Sequence, residues 1–372
     1  MEEESLEEVE ENRLKECLRK VLSYAEREGW RGYDPYDGLL SPFGNLPIPL
    51  YRLLFQQAVK RLPTSVRPLL LIPRSHNPKG VALFLWAHSM LRDGERANEL
   101  LKLLMALRTE LPGGGIAFGY NFSWQSSVFY VPAFTPNVIA TSFSIFALRE
   151  GGAAFGWDID FRAFLPFYEK VLNLFEDGEG YLWMSYTPGD RLRIFNSSIL
   201  GAVAYFLSGG DGEVLLRVGD TLAHYQREDG SWPYGLGSRR MNYVDHIHTA
   251  YNLWGLLWAS RILGTDRWME SIDRGFRFYK NRLFNDEGLP LNRVGRHSHD
   301  THDVAAAILT LKMFGEEDWA KRLAEYSCNR LVGPAGEVFN GPNDRRVFMR
   351  WSVGWLALSL AWLMAGNRPF PV

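Results

Sequence analysis

Apolar residues recur along this chain at the three-and-four spacing of helices, and the helices they predict alternate between two kinds. One kind is amphipathic, with charges along one side, as at Glu95, Arg96, Glu99, Lys102 and Arg108. The pattern predicts such helices over 50–61, 95–111, 161–176, 213–228, 267–283 and 317–331. The other kind carries few charges and many small residues, as in DVAAAILTL and SSILGAVAYFL, over 79–92, 137–149, 196–207, 247–263, 302–313 and 350–364. A helix apolar nearly all round must be covered on all sides. Asn77, Asn137, Asn196, His248, His302 and Trp351 mark the openings of these apolar helices, 60, 59, 52, 54 and 49 residues apart. A period near 50 that holds two helices cannot bury its own apolar face, so the units must stack or close into a ring. The expected fold is all-α: an (α/α)6 toroid with the apolar helices inside and their openings at one end of a central cavity. The first unit is degenerate, so five repeats are read directly and the sixth is inferred.

Ahead of the repeat, Leu14, Leu18, Val21, Leu22 and Ala25 predict one more amphipathic helix, ending near Glu28. The loop that follows, WRGYDPYDGLLSPFGNLP, is rich in aromatic residues and is expected to lie across one mouth of the ring. This divides the chain into residues 1–44, an acidic end, helix and loop packed on the ring, and 45–372, the toroid itself. A net charge of -2 argues against a nucleic-acid or anionic-membrane partner. Cys17 and Cys328 are too few for a disulfide framework or a Cys-rich zinc site. The acidic start is the reverse of a secretory signal. The longest apolar run, Val353 to Ala365, is shorter than the ~20 residues that span a bilayer. A soluble, cytoplasmic protein without a membrane span is expected.

Candidate chemistry crowds the predicted helix openings. MNYVDHIHTAYN brings Asp245, His246, His248, Thr249 and Tyr251 within seven residues, and RHSHDTHD brings Asp300, His302 and Asp303. With His297 and His299, these stretches hold five of the eight histidines. Asp245, Asp300, Asn137 and Asn196 are also natural helix caps. Arg350, beside Trp351, puts a cation at a helix N-terminus and so calls for an anionic partner. The preceding loops offer Tyr120, Trp124 and Gln125, then Trp183 and Tyr186, then Trp232 and Tyr234. Flat aromatics beside amides suit sugar rings, although packing at the rim is the plainer role. Asp34 and Asp37 add carboxylates from the N-terminal loop, or serve as turn residues. Asp245, His248, Asp300 and His302 could ligate zinc, yet no HExxH or CxxC pattern accompanies them, and no metal is assigned. No P-loop, dinucleotide fingerprint or GxSxG elbow occurs, and no cofactor is expected.

Two resemblances bear on these residues. QREDGSW, Gln226 to Trp232, resembles the QW motif of terpenoid-cyclase and prenyltransferase toroids, but the cyclase DxDD acid is missing and neither cysteine fits a prenyltransferase zinc site. Taken in order, DPYDGL, NPK, FSWQ, PNVIAT, DGSW, VDHIHTAY, DTHDVAAAI and MRWSVGW resemble an uncharacterised toroid family associated with polysaccharide biosynthesis. That resemblance implies a toroid, a glycan context and association with biosynthetic enzymes; it assigns no reaction.

Four readings follow. First comes a carbohydrate-active enzyme on an oligo- or polysaccharide, hydrolysing a glycosidic bond with Asp245 and Asp300 as the carboxylate pair and His248 and His302 positioning them. Second is proton abstraction from a uronic acid, by a lyase or C5-epimerase, with Asn196, His248, Tyr251 and Arg350. A non-catalytic glycan-binding toroid is third, and an isoprenoid-handling toroid fourth.

Overall fold

The structure, a computed structural model, describes residues 6–126, 130–296 and 299–366. Its helices are α1 (Leu6–Arg27), α2 (Pro49–Arg61), α3 (Pro78–Met90), α4 (Gly94–Ala106), α5 (Val138–Phe155) and α6 (Phe195–Leu207). Then follow α7 (Gly212–His224), α8 (His246–Leu263), α9 (Met269–Arg282), α10 (Thr301–Met313), α11 (Glu317–Arg330) and α12 (Trp355–Met364). The apolar helices α3, α5, α6, α8, α10 and α12 touch in that order, and α12 returns to touch α3. The ring is closed. Every residue of α3 is buried, as expected of a helix walled in by a neighbour on each side and an outer layer behind.

The outer layer departs from expectation at two places. The helix predicted over 50–61 forms as α2 but packs on the Asp37–Leu40 turn and the Trp124–Gln125 strand. The sixth outer position is taken by α1, which packs on α11 and α12. The segment predicted as a helix over 161–176 breaks into a 3-10 turn (Phe161–Phe164), a π-turn (Phe167–Val171) and a strand (Leu174–Glu176). Pro166, in the middle, has no N–H to give a continuous helix and its ring clashes with the preceding turn. Among the described residues the loops form five short antiparallel strand pairs, including Leu174–Glu176 with Leu182–Met184.

Four inner helices open on a side-chain cap. Asn77, Asn137, Asp245 and Asp300 accept from the N–H groups of Gly80 (3.3 Å), Ala140 (2.8 Å), His248 (2.9 Å) and Asp303 (3.0 Å). Each such cap is worth about 1 kcal/mol. The last inner helix is entered through a π-turn, Met349–Gly354. That turn lies hard against α3, where a side chain on Gly80 would sit 3.2 Å from the Arg350 Cβ.

Cys17 and Cys328 form a disulfide that ties α1 to α11 across 311 residues of chain. Two cysteines are no framework, but they do pair, a contact the sequence reading did not foresee. Such bonds persist in oxidising compartments and inside hyperthermophiles. Closing so long a loop restricts the unfolded chain, and Cys17→Ser should cost about 3–5 kcal/mol. Thermal denaturation with and without reductant checks this. An unchanged midpoint in both the reduced protein and the variant would deny the bond a stabilising role. No helix among the described residues is long and apolar enough to cross a membrane.

Candidate functional site

The inner helices share a positional rule. Counting from the residue before each helix or π-turn, the second helical residue is Lys79, Ile139, Asn196, Ile247, His302 and Arg350 around the ring. All six line one cavity of about 370 Å³ at the helix openings. Side chains in a helix lean toward its N-terminus, so a residue in the first turn projects past the end of its own helix. With the helices in a closed circle, those six side chains meet. The connecting segments complete the wall with Tyr36, Tyr120, Trp124, Tyr186, Tyr234 and Tyr243, and the π-turn adds Trp351.

His248 stands one position further along α8, half-buried at the cavity wall. Its Nδ1 lies 2.8 Å from both carboxylate oxygens of Asp245, which also caps its backbone N–H. Burial works to raise the Asp245 carboxyl, but the His248 ring, its hydrogen bonds and the Arg293 charge outweigh that and hold it below the usual carboxylate value. A carboxylate on Nδ1 fixes ring and tautomer together, leaving Nε2 as the working nitrogen.

His302 is different. It is buried, stacked on Trp355 at 4.6 Å and edge-on to Trp351 at 4.5 Å. Burial, then the charges of Lys79 and Arg350, hold its pKa well below the usual histidine value. Its Nε2 is 3.3 Å from the Tyr251 hydroxyl, which accepts from the Lys79 ammonium nitrogen at 3.2 Å. Lys79 itself is buried between aromatic faces, 4.1 Å from the Phe143 ring and 5.0 Å from that of Trp355. Burial, then the nearby Arg350 charge, push its pKa well down. The two histidines thus reach one cavity with opposite surroundings, one beside a carboxylate and one beside cations.

Arg350 is buried and held by Asp34 through two bonds, Nε to Oδ2 at 2.6 Å and an Nη to Oδ1 at 2.9 Å. Burial opposes its charge, but the Asp34 carboxylate and the Tyr120 hydroxyl more than compensate, and its pKa is raised. Asp300 accepts from the Asp303 N–H and, at 2.8 Å, from the Trp351 indole N–H. Burial raises both Asp300 and Asp303, and their mutual repulsion drives the deeper Asp303 well above the usual range. Asn196 caps nothing, since α6 opens after Ile194; its Oδ1 is buried at the cavity wall with no hydrogen-bond partner among the described residues.

Of the residues singled out from sequence, Tyr120, Trp124, Tyr186, Asn196, Tyr234, Asp245, His248, Tyr251, Asp300, His302, Arg350 and Trp351 line the cavity. Six do not. Asn137 is a fully buried cap of α5. Gln125 faces Gln56, its backbone N–H donating to the Gln56 side-chain carbonyl at 3.0 Å. Trp183 and Trp232 pack between hairpins, donating to Asp177 (2.8 Å) and the Leu222 carbonyl (2.8 Å), so rim packing is their role. Asp34 acts behind the wall through Arg350, and Asp37 is buried against Arg67 at 3.0 Å. His299 lies off the cavity, against Tyr326, and His297 falls outside the described residues. Lys79 escaped the sequence reading, as did Tyr36, Lys60, Tyr243, Asn292 and Arg293. Lys79 carried a signal in its place two residues after the Asn77 cap. Among the described residues, no three His, Cys, Asp or Glu side chains converge as a metal-ligand set.

No family model matches the chain, and no curated protein matches it. Solved structures do. The cellobiose 2-epimerase of Bacillus thermoamylovorans is 10% identical with a TM-score of 0.58, covering 78% of this chain and 89% of its own. That of Spirochaeta thermophila is 13% identical with a TM-score of 0.57, covering 77% and 85%. A GH76 α-mannanase from Bacteroides thetaiotaomicron is 10% identical with a TM-score of 0.54, covering 77% and 85%. At such identities the likeness speaks for the backbone, and with the closed ring of inner helices it establishes the fold as an (α/α)6 toroid.

Proposed function

We propose that this toroid is a carbohydrate-active enzyme that moves a proton at a sugar carbon adjacent to the open-chain carbonyl, inverting that carbon without cleaving the glycosidic bond. The observation that carries the reading is the pair of cavity histidines in opposite surroundings, while both candidate carboxylates are already engaged by His248, Asp303 and Trp351. His302, kept neutral, takes the proton from carbon. The electron pair left behind moves onto the carbonyl oxygen, and the enediolate faces the Arg350 guanidinium, which Asp34 holds in place. His248 returns a proton to the same carbon from the opposite side, with Asp245 offsetting the charge of its imidazolium. Being half-exposed, His248 regains its proton from water, and His302 gives its own up to water that enters the cavity when the product leaves. Trp124, Tyr186 and Trp351 offer faces for sugar rings.

Similarity to two cellobiose 2-epimerases supports this reading, and the motif resemblance supports a setting in polysaccharide biosynthesis, with enzymes of that process as associates. Hydrolysis is the second reading. It is favoured by one observation: Asp245 is lowered and Asp300 raised, the split that a base or nucleophile and an acid require. Incubation with reducing disaccharides, followed by NMR of the products, separates the two. An epimer with its linkage intact is expected. New reducing ends with no epimer would overturn the proposal in favour of hydrolysis.

A further inference from the structure

Overall charge hides a local asymmetry. From Gly38 to Arg92 there is no Asp or Glu, while seven Lys and Arg occur. Arg67 and Arg74 are matched by Asp37 and Glu28 from outside the stretch. Among the described residues, Arg52 and Arg61 meet only neutral groups, the Tyr130 ring and Gln57, whereas Lys60 turns to the Tyr36 hydroxyl and acts on the Asp300 carboxylate in the cavity.

The same stretch concentrates exposed apolar surface. Of the twelve large apolar side chains exposed among the described residues, eight fall between Phe43 and Leu71. Leu50 and Leu54 lie one turn apart on α2 and are 65% and 60% exposed; Leu69 and Leu71 are 78% and 61% exposed. A helix that turns leucines outward gives up their burial, so something is expected to cover them. The segment is tied to the mouth of the cavity, since Lys60 on α2 lines it and Gln56 bonds the Gln125 backbone.

We infer that the face built by residues 43–71 docks on the surface of a lipid bilayer bearing anionic headgroups. Leucines with interspersed cations and no acids are what an interfacial helix presents: the side chains enter the acyl boundary while Arg52 and Arg61 meet the phosphates. A second copy of this chain fits poorly. A twofold interface sets the patch against itself, bringing Arg52 and Arg61 near their own counterparts with no acid in the stretch to pair them.

The test is flotation of the full chain with vesicles of phosphatidylcholine alone or mixed with phosphatidylglycerol. Binding to the anionic vesicles is expected, weakened by salt, with little on phosphatidylcholine. Leu50→Glu with Leu54→Glu should lower the bound fraction at least about tenfold. Because both side chains point outward, the thermal midpoint of this variant should match the parent, which a melt on the same samples verifies. Absence of binding to either vesicle by the folded protein overturns the inference. So does a dimer in light scattering that the same substitutions dissociate, or saturable capture of an acidic protein partner with no lipid binding. None of these outcomes depends on turnover, so they stand apart from the fate of the proposed reaction.

Discussion

Replacing His248 or His302 by Gln should each lower turnover about 10²–10⁴-fold, the contribution of a positioned acid or base, while the thermal midpoint moves little for His248. In the proposed reaction the two histidines act from separate helices, α8 and α10, and neither can stand in for the other. Asp245→Asn should follow His248, because it removes the acceptor that fixes Nδ1 and leaves the wrong tautomer facing the cavity. Asp300→Asn is the discriminating member of the series. Asp300 caps α10 and accepts from Trp351, and Asn can still do the first of these. Most activity should therefore survive. In the hydrolytic reading Asp300 supplies the acid, and its loss would abolish turnover as completely as that of either histidine. Steady-state rates of the four variants on one substrate decide between them.

Lys79→Met should give a protein more stable and less active. The Lys79 side chain is 2% exposed and, among the described residues, has no carboxylate within hydrogen-bonding distance, only the Tyr251 hydroxyl and aromatic faces. Methionine fills similar volume without a charge to desolvate, so the variant should melt at a higher temperature than the parent. The sign in pH follows from the direction of the shift. With the folded pKa depressed below 10.5, the unfolded chain holds the extra proton through the window between the two values. Stability of the parent therefore rises with pH across that window up to about 10.5, and the Lys79→Met variant lacks that slope. Turnover should fall about 10²-fold, through loss of the donor that sets Tyr251 against His302. Melts across alkaline pH, with initial rates at neutral pH, measure both halves. A variant that is destabilised yet fully active would contradict this account of Lys79.

The ring was legible because its cause is local. An amphipathic helix and an apolar one in each period can be read from side-chain spacing, and the apolar helices lie close to the predicted spans. What joins distant parts was not. α1 could be read as a helix, but its place as the sixth outer member rests on contacts with α11 and α12 at the other end of the chain. The pairing of Asp34 with Arg350 spans 316 residues, and neither side announces the other.

At the site the repeat was seen in the wrong phase. Asn77 and Asn137 mark caps, whereas Asn196 and His302 mark the second helical residue. Aligned on the second position, the spacings become 60, 57, 51, 55 and 48, and Lys79 falls into the ring. A lysine after Asn-Pro otherwise looks like a solvated one. The loop aromatics failed for a related reason: Trp183 and Trp232 are the larger rings, but they are buried under the rim by their bonds to Asp177 and the Leu222 carbonyl, and Tyr186 and Tyr234 face the cavity instead.

The most direct measurement is deuterium uptake from heavy water into a reducing disaccharide, followed by NMR, with the parent and His302→Gln side by side. The parent should place deuterium on the carbon next to the open-chain carbonyl as the epimer accumulates, and the variant should do neither. Conversion of the sugar with no deuterium on carbon, or uptake undiminished in the variant, would contradict proton transfer by these histidines.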